Sequence, residues 1–274
     1  MICYPNCKIN IGLDILRRRP DGFHDIDSVL YPVPWTDVLE IVPASGGKDT
    51  LTITGNPVNC PIEKNLVFKA ITALRRKVEF PPVDVYLHKI IPDGAGLGGG
   101  SADAAFAISL VNNLFELGLS TEFMATVAAE IGSDCPFFIY NTPMHATGRG
   151  TELSPVDISL GGFWIVIAKH RNASVSTAQA YSGVKPQIPE IPLINRLNKP
   201  IETWTSTVIN MFEESVFHHE NKITDVKTRM MSISPIYTAM SGSGAAVFGL
   251  FDSEITEDAI KRLFPDCDTF VSCL

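Results

Sequence analysis

The residues best suited to chemistry gather around one loop. Gly94, Gly96, Gly98, Gly99 and Gly100 fall within Pro92-Asp-Gly-Ala-Gly-Leu-Gly-Gly-Gly-Ser-Ala-Asp103. Glycine admits positive φ and lets backbone N–H groups approach an anion with no Cβ in the way. The alternation of Val83, Val85 and Leu87 predicts a strand leading into the loop. Ala104, Ile108, Val111 and Phe115 predict a helix leaving it, over 104–117, with Gly118 as its stop. The positive end of that helix faces the loop. Strand, glycine loop and helix N-terminus together predict a phosphate site. A merely flexible connection would mix in Ser, Lys and Glu and would not run straight into an alanine-rich helix. No Lys-Ser or Lys-Thr follows the glycines, so this is not a Walker A loop. Gly94 to Gly99 matches GxGxxG, but no acidic residue ends a strand about 20 residues later, as a dinucleotide fold would need.

Four other places carry candidate groups. Asp134, in Gly132-Ser-Asp-Cys-Pro136, could accept a proton from a substrate hydroxyl or orient it for attack. The competing use is an N-cap for a short helix starting at Cys135-Pro136. Lys8, in an apolar strand-like stretch, could neutralise charge on a transferring group; otherwise it is a strand lysine whose ammonium snorkels to water. Arg17-Arg-Arg19 followed by Pro20-Asp-Gly-Phe-His24 is a charged turn in which Phe23 could stack on a base and His24 hydrogen-bond to it. Ser241-Gly-Ser-Gly244 is either a tight turn between two strands or the lining of a phosphate-bearing ligand site.

These groups need elements to hold them. The first third reads as strand-rich, with Val38 to Val42 and Leu51 to Thr54 flanking a hairpin-like connection around Ala44-Ser-Gly-Gly-Lys-Asp49. A helix follows Asn65, with Leu66, Ala70 and Leu74 on one face, and another runs from Ser120 to Gly132. Beyond Thr151 come an apolar strand (Phe163 to Ala168), a Ser- and Thr-rich loop and helical stretches to about Met231. The chain closes with strand, glycine turn, strand, helix and strand from Ile236 to Cys273. Apolar residues are 45% and charged residues 19% of 274, enough for a sizeable core and too apolar for disorder. A net charge of −8 argues against a broad nucleic-acid surface. No apolar run reaches the roughly 20 residues that span a bilayer, and Met1-Ile-Cys-Tyr-Pro lacks a signal-peptide layout. Six scattered cysteines with no CxxC pair read as reduced cytoplasmic thiols, and His218-His219 as a solvated pair. Nothing in the sequence points to an obligatory protein partner.

Taken in order, Lys8-Ile-Asn10, Gly94-Ala-Gly-Leu-Gly-Gly-Gly-Ser-Ala-Asp-Ala-Ala105 and Met240-Ser-Gly-Ser-Gly-Ala245 resemble the three motifs of the galacto-, homoserine, mevalonate and phosphomevalonate (GHMP) kinase superfamily. Arg19-Pro-Asp-Gly-Phe-His24, Lys64-Asn-Leu66, Gly132-Ser-Asp-Cys-Pro-Phe137 and Gly148-Arg-Gly-Thr-Glu152 narrow the resemblance. They are similar to the branch that phosphorylates a cytidyl-diphosphate-linked methylerythritol in non-mevalonate isoprenoid synthesis.

The resemblance implies an α+β, two-lobed fold with the active site in the cleft between lobes. The expected division is an N-terminal ATP-binding domain over 1–152 and a C-terminal substrate-side domain over 153–274. It implies transfer of the ATP γ-phosphate to the 2-hydroxyl of a small-molecule substrate, with Mg²⁺. Asp134 falls where the family's base lies, close to Lys8, which falls at the catalytic lysine. Pro92, Gly94, Ala95, Gly96, Leu97, Gly98, Gly99, Gly100 and Ser101 match the ATP phosphate loop, with the Ser101 hydroxyl a candidate near the metal. Asn65 and Lys89 match positions near the adenine. Asn10 falls at a substrate contact, Phe23 and His24 in the segment that holds the cytosine, and Ser241, Gly242, Ser243 and Gly244 at the substrate side.

Three departures stand out: Asn6-Cys7 precede Lys8 where Pro-Ala is usual, Phe23 replaces the common Tyr, and 170–186 has no match. Two rival readings remain at this point. One is a sister kinase for mevalonate, homoserine or a sugar; the other is a catalytically silent nucleotide-binding protein on the same fold.

Overall fold

The computed structural model describes residues 1–58 and 60–274. In chain order the strands are β1 (Ile2–Cys3), β2 (Asn6–Arg18), β3 (His24–Thr36), β4 (Val38–Pro43), β5 (Thr50–Gly55), β6 (Val83–Lys89), β7 (Met144–Gly148), β8 (Glu152–Pro155), β9 (Trp164–His170), β10 (Tyr237–Met240), β11 (Val247–Phe251) and β12 (Cys267–Cys273). The α-helices are α1 (Leu66–Arg75), α2 (Gly99–Leu114), α3 (Thr121–Ala129), α4 (Cys135–Tyr140), α5 (Thr177–Ser182), α6 (Leu193–Leu197), α7 (Trp204–Thr207), α8 (Phe212–His219), α9 (Asn221–Met231) and α10 (Glu257–Leu263).

Two compact units result, and neither is one stretch of chain. The first comprises Met1–Cys7, Trp35–Asp93 and Gly98–Thr142; the second comprises Lys8–Pro34, Gly94–Leu97 and Pro143–Leu274. This differs from a single cut after residue 152. The reason is strand pairing: β2 and β3 share a sheet with β7 and β8, in the order β2-β3-β7-β8, so early residues join the late unit.

The first unit is built on the sheet β1-β4-β6-β5. The expected hairpin is absent there. β4 pairs antiparallel and β5 parallel to β6, which lies between them. β6 alternates buried and outward residues, and its apolar face fills the centre of the sheet. Leu39, Ile41, Val85 and Leu87 meet Val67, Ile71 and Leu74 of α1 and Ala104, Ile108 and Val111 of α2 in one core. Ala102, Ala104, Ala105 and Ala107 of α2 are all fully buried. Their small side chains let α2 be covered on most of its surface.

α2 begins at Gly99, five residues ahead of the expected start at Ala104. Gly98, at φ 72°, turns the chain into the helix, and Gly99 and Gly100 form its first turn. The loop is therefore shorter than it reads, and part of it is helix.

The second unit holds the sheet with β2 and β3 and the sheet β10-β11-β9-β12. β9 is an inner strand, which explains its unbroken apolar run. Leu13 and Ile15 of β2 share a core with Val166 and Ala168 of β9, Val247 of β11 and Ile223, Val226 and Met230 of α9.

Candidate active site

In the first unit the glycine run ends at an uncapped helix. Gly98 offers no side-chain cap to α2, so the first-turn amides have neither an intrahelical acceptor nor a cap from the N-cap residue. That end carries partial positive charge, which favours an anion. Ser101 sits in the same turn, near the Cys135 thiol. Burial pushes that thiol up to about 11, so Cys135 is an inert neighbour at neutral pH. Asp134 immediately precedes α4. It occupies the N-cap position with αR backbone angles and makes no side-chain cap to the helix. The sequence allowed a helix-capping use for this carboxylate, and the structure does not show it.

Asn65 does act as a cap. Its Oδ1 accepts from the Val67 amide at 2.9 Å and starts α1. Lys89 lies in a buried cluster. Its ammonium donates to Asp37 and, at 2.7 Å, to Asp103 of α2. Burial pulls the Lys89 ammonium down, but Asp103 and Asp37 outweigh it and leave it above its ordinary value. Burial pushes the Asp103 carboxyl up to about 7 against the pull of Lys89.

In the second unit, residues 94–97 have their carbonyls engaged. Gly94 and Ala95 accept from the amides of Ala245 and Ala246, and Leu97 from the amide of Lys8. Gly96 accepts from the Lys8 ammonium at 2.8 Å and from the Ser241 hydroxyl at 2.9 Å. Ala95 and Leu97 are the buried anchors, while Gly94 is exposed. Gly96 needs glycine twice over: its φ is 73°, and a Cβ would collide with the Ser241 carbonyl oxygen. At Gly94, with φ 62°, a Cβ would meet nothing within 4 Å.

Lys8 is 3% exposed and does not snorkel. Burying an ammonium is costly unless it is bonded, and here Asn10 Oδ1 accepts from it at 2.6 Å. Asn10 Nδ2 in turn donates to the Ser28 hydroxyl at 2.8 Å, which donates to the Gly12 carbonyl. The Asn10 amide side chain therefore holds Lys8 in place. In the third motif, Ser241, Gly242 and Gly244 are buried and Ser243 is half-buried. Asn210 fixes that turn by donating to the carbonyls of Met240 and Gly242.

The aromatic pair after the arginines separates. Phe23 is half exposed, with the Arg149 guanidinium 3.5 Å above its ring centroid. His24 stacks on Tyr181 at 4.7 Å, and Tyr181 meets Phe212 edge-on at 4.8 Å. Burial first, then the charge of Arg18, holds the His24 imidazole below its ordinary value, so it is neutral at pH 7.

Sequence reasoning missed Ser28, Asn210, Asp37 and Tyr181. The first three act on residues distant in the chain, with no local pattern to mark them. Tyr181 lies in the 170–186 stretch, where Ser176 and Gln179 form a capping box around α5; the S-x-x-Q spacing was a usable signal.

Residues 65–142 match the GHMP kinases N terminal domain family. The fold agrees beyond that stretch: a homoserine kinase from Cytophaga hutchinsonii superposes with a TM-score of 0.73 at 17% identity over 97% of this chain and 94% of its own. The molecule is thus a GHMP-type kinase fold. A 4-diphosphocytidyl-2-C-methyl-D-erythritol kinase from Parabacteroides distasonis is 46% identical over 97% of each chain, and one from Bacteroides fragilis is 45% identical over 93% of each. A solved 4-(cytidine 5'-diphospho)-2C-methyl-D-erythritol kinase gives a TM-score of 0.83 at 27% identity, covering 99% of this chain and 98% of its own. This chain belongs to the 4-diphosphocytidyl-2-C-methyl-D-erythritol kinase family.

Proposed function

We infer that this protein transfers the γ-phosphate of ATP to the 2-hydroxyl of 4-diphosphocytidyl-2-C-methyl-D-erythritol, a step toward isoprenoid precursors. The observation that carries the reading is the buried Lys8, held by Asn10 and Gly96 at the glycine loop. A silent nucleotide-binding protein would have no use for a buried ammonium beside its glycine loop.

In this reading the amides of residues 92–101 and the α2 N-terminus hold the ATP phosphates. Lys8 neutralises charge that builds on the transferring group. Asp134 accepts or orients the proton of the attacking hydroxyl. Asn10 serves as the holder of Lys8, and Asn65 and Lys89 serve the nucleotide end. Phe23, with His24 backed by Tyr181, holds the cytosine; Ser243, half-buried and paired with the Thr177 hydroxyl at 3.4 Å, stands for the third motif on the substrate side. The neutral His24 ring offers one donor and one acceptor to a base edge.

Mg²⁺ commonly takes one or two protein oxygens and completes its shell with phosphates and water. Among the described residues no group of three or more His, Cys, Asp or Glu could hold a metal. Ser101, in the first turn of α2, fits as a single protein oxygen for such an ion. The metal would supply charge neutralisation across the β- and γ-phosphates. Among the described residues no helix is long and apolar enough to cross a membrane, and a reduced, cytoplasmic setting suits the six free cysteines.

The test is ADP release with ATP, Mg²⁺ and 4-diphosphocytidyl-2-C-methyl-D-erythritol, beside mevalonate, homoserine and galactose. Turnover with the cytidyl substrate alone is expected. Turnover with another alcohol instead would discard the cytosine assignment, and ATP binding with no turnover would overturn the kinase reading.

A further inference from the structure

The Lys89 cluster is too costly to be explained by stability. Lys89, Asp37 and Asp103 are 5%, 0% and 1% exposed, so one cation is buried with two carboxylates. Asp103 Oδ1 has no hydrogen-bond partner among the described residues. Well-packed apolar residues would serve a core at least as well.

The cluster's geometry has a simpler logic. Asp37 Oδ1 accepts from the amides of Ile90 and Ile91 at 2.5 and 2.8 Å. Those residues are the stem that leads into the glycine loop. Its other oxygen takes the Lys89 ammonium. The same ammonium reaches Asp103, on the first turns of α2, the stem that leaves the loop. The two stems meet closely: a Cβ on Gly99 would lie 3.0 Å from Ile91 Cγ2 and 3.4 Å from the Lys89 ammonium. Cys3 of β1 also faces the cluster, its thiol pushed up to about 12 by burial and then by the charge of Asp103.

We propose that Lys89, Asp37 and Asp103 are positioning residues that clamp the two stems of the glycine loop together. The clamp holds the α2 N-terminus and the loop amides in register for a triphosphate, and Lys89 acts through the loop without touching the adenine. This rests on residues 92–101 being the phosphate loop. A base contact by Lys89 would discriminate between nucleobases; a clamp treats every triphosphate alike.

The experiment measures the affinity of the full-length protein for ATP, GTP and inorganic tripolyphosphate, with melting temperature and turnover, in Lys89→Met, Asp37→Asn, Asp103→Ala and Asp103→Asn. Misplacing the stems should weaken all three ligands by the same factor, on the order of tenfold, in Lys89→Met, Asp37→Asn and Asp103→Ala. KM for the alcohol should not change. Asp103→Ala is the decisive variant because it leaves a neutral Lys89–Asp37 pair. It should melt no lower than wild type and still bind triphosphate more weakly, whereas a purely structural brace would lose stability and keep affinity. Asp103→Asn restores an acceptor for Lys89 and should recover most of the loss. A changed ATP-to-GTP ratio in Lys89→Met with tripolyphosphate unaffected would overturn the clamp in favour of a base contact. Unchanged affinity in Asp103→Ala would overturn it too. Wild-type protein that binds ATP but not tripolyphosphate would instead strike at the phosphate-loop reading itself.

Discussion

At the scale of single residues, Lys8 and Asp134 carry the strongest expectations. Lys8 is bound by Asn10 Oδ1 and the Gly96 carbonyl, so its ammonium is already fixed before any substrate arrives. Lys8→Met should lower kcat by about 10²-fold or more while KM for ATP changes far less, because an interaction realised in the transition state is lost. Asp134→Ala should cost about 10²–10⁴-fold in kcat, and near-wild-type turnover in a steady-state assay would remove it from the mechanism. His24 gives a pH signature. Its folded value lies below the ordinary 6.5, so the neutral form persists to lower pH than in a free imidazole. The sign for stability follows: its contribution is present above 6.5 and is lost as pH falls through the depressed folded value. KM for the cytidyl substrate should therefore stay flat from pH 7.5 through about 6.5 and rise only below it. A ring-proton NMR titration of His24, and loss of the pH dependence in His24→Asn, would check this.

At the scale of elements, the glycine loop offers a contrast between neighbours. Gly96→Ala meets both a positive φ and the Ser241 carbonyl, so it should destabilise the fold outright. Gly94→Ala meets only the backbone penalty, about 1–2 kcal/mol, since space is open around it. It should fold, with a modest fall in melting temperature, yet lose ATP affinity under the proposed reading, in which residues 92–101 hold the phosphates. Retained affinity in a titration of Gly94→Ala would mean that the phosphates do not approach there. Helix α5 provides a second element-level case. Ser176 and Gln179 cap it reciprocally, at 3.2 and 3.0 Å, and it carries the Tyr181 ring under His24. Ser176→Ala should cost about 1 kcal/mol locally, raise KM for the cytidyl substrate and leave KM for ATP unchanged. What the sequence revealed of these elements followed locality. The loop, the helix that follows Asn65 and the short helix after Asp134 are written in consecutive residues. The place of β6 between β4 and β5 is not, because a hairpin signal and two strands flanking a third look alike along the chain. The Asn10–Ser28 and Asp37–Lys89 partnerships were invisible for the same reason: each joins side chains that only strand pairing brings together.

At the scale of the whole molecule, the interleaving of the chain sets what can be separated. A cut after residue 152 looks natural along the chain, since the motifs expected to serve ATP precede it and a new apolar strand follows. The cores say otherwise. Leu13 and Ile15, near the N-terminus, are buried with Val166, Ala168, Phe212 and Met240, and Leu13 exchanges backbone hydrogen bonds with Ile209 and Met211. A fragment of residues 1–152 would leave that face of β2 bare, and each fully buried Leu or Ile that becomes exposed forfeits about 1.5–3 kcal/mol. It would also lack β8 beyond its first residue, leaving the β7 edge unpaired. The complementary fragment 153–274 would lose the strands that cover its own core. Each fragment expressed alone should therefore be insoluble or lack a cooperative melting transition, while co-expression of both, or mixing during refolding, should recover soluble protein with ATP-dependent turnover. A 1–152 fragment that folded alone and bound ATP would show that the nucleotide machinery does not depend on residues 153–274, and that the early strands contribute nothing essential by joining the later unit.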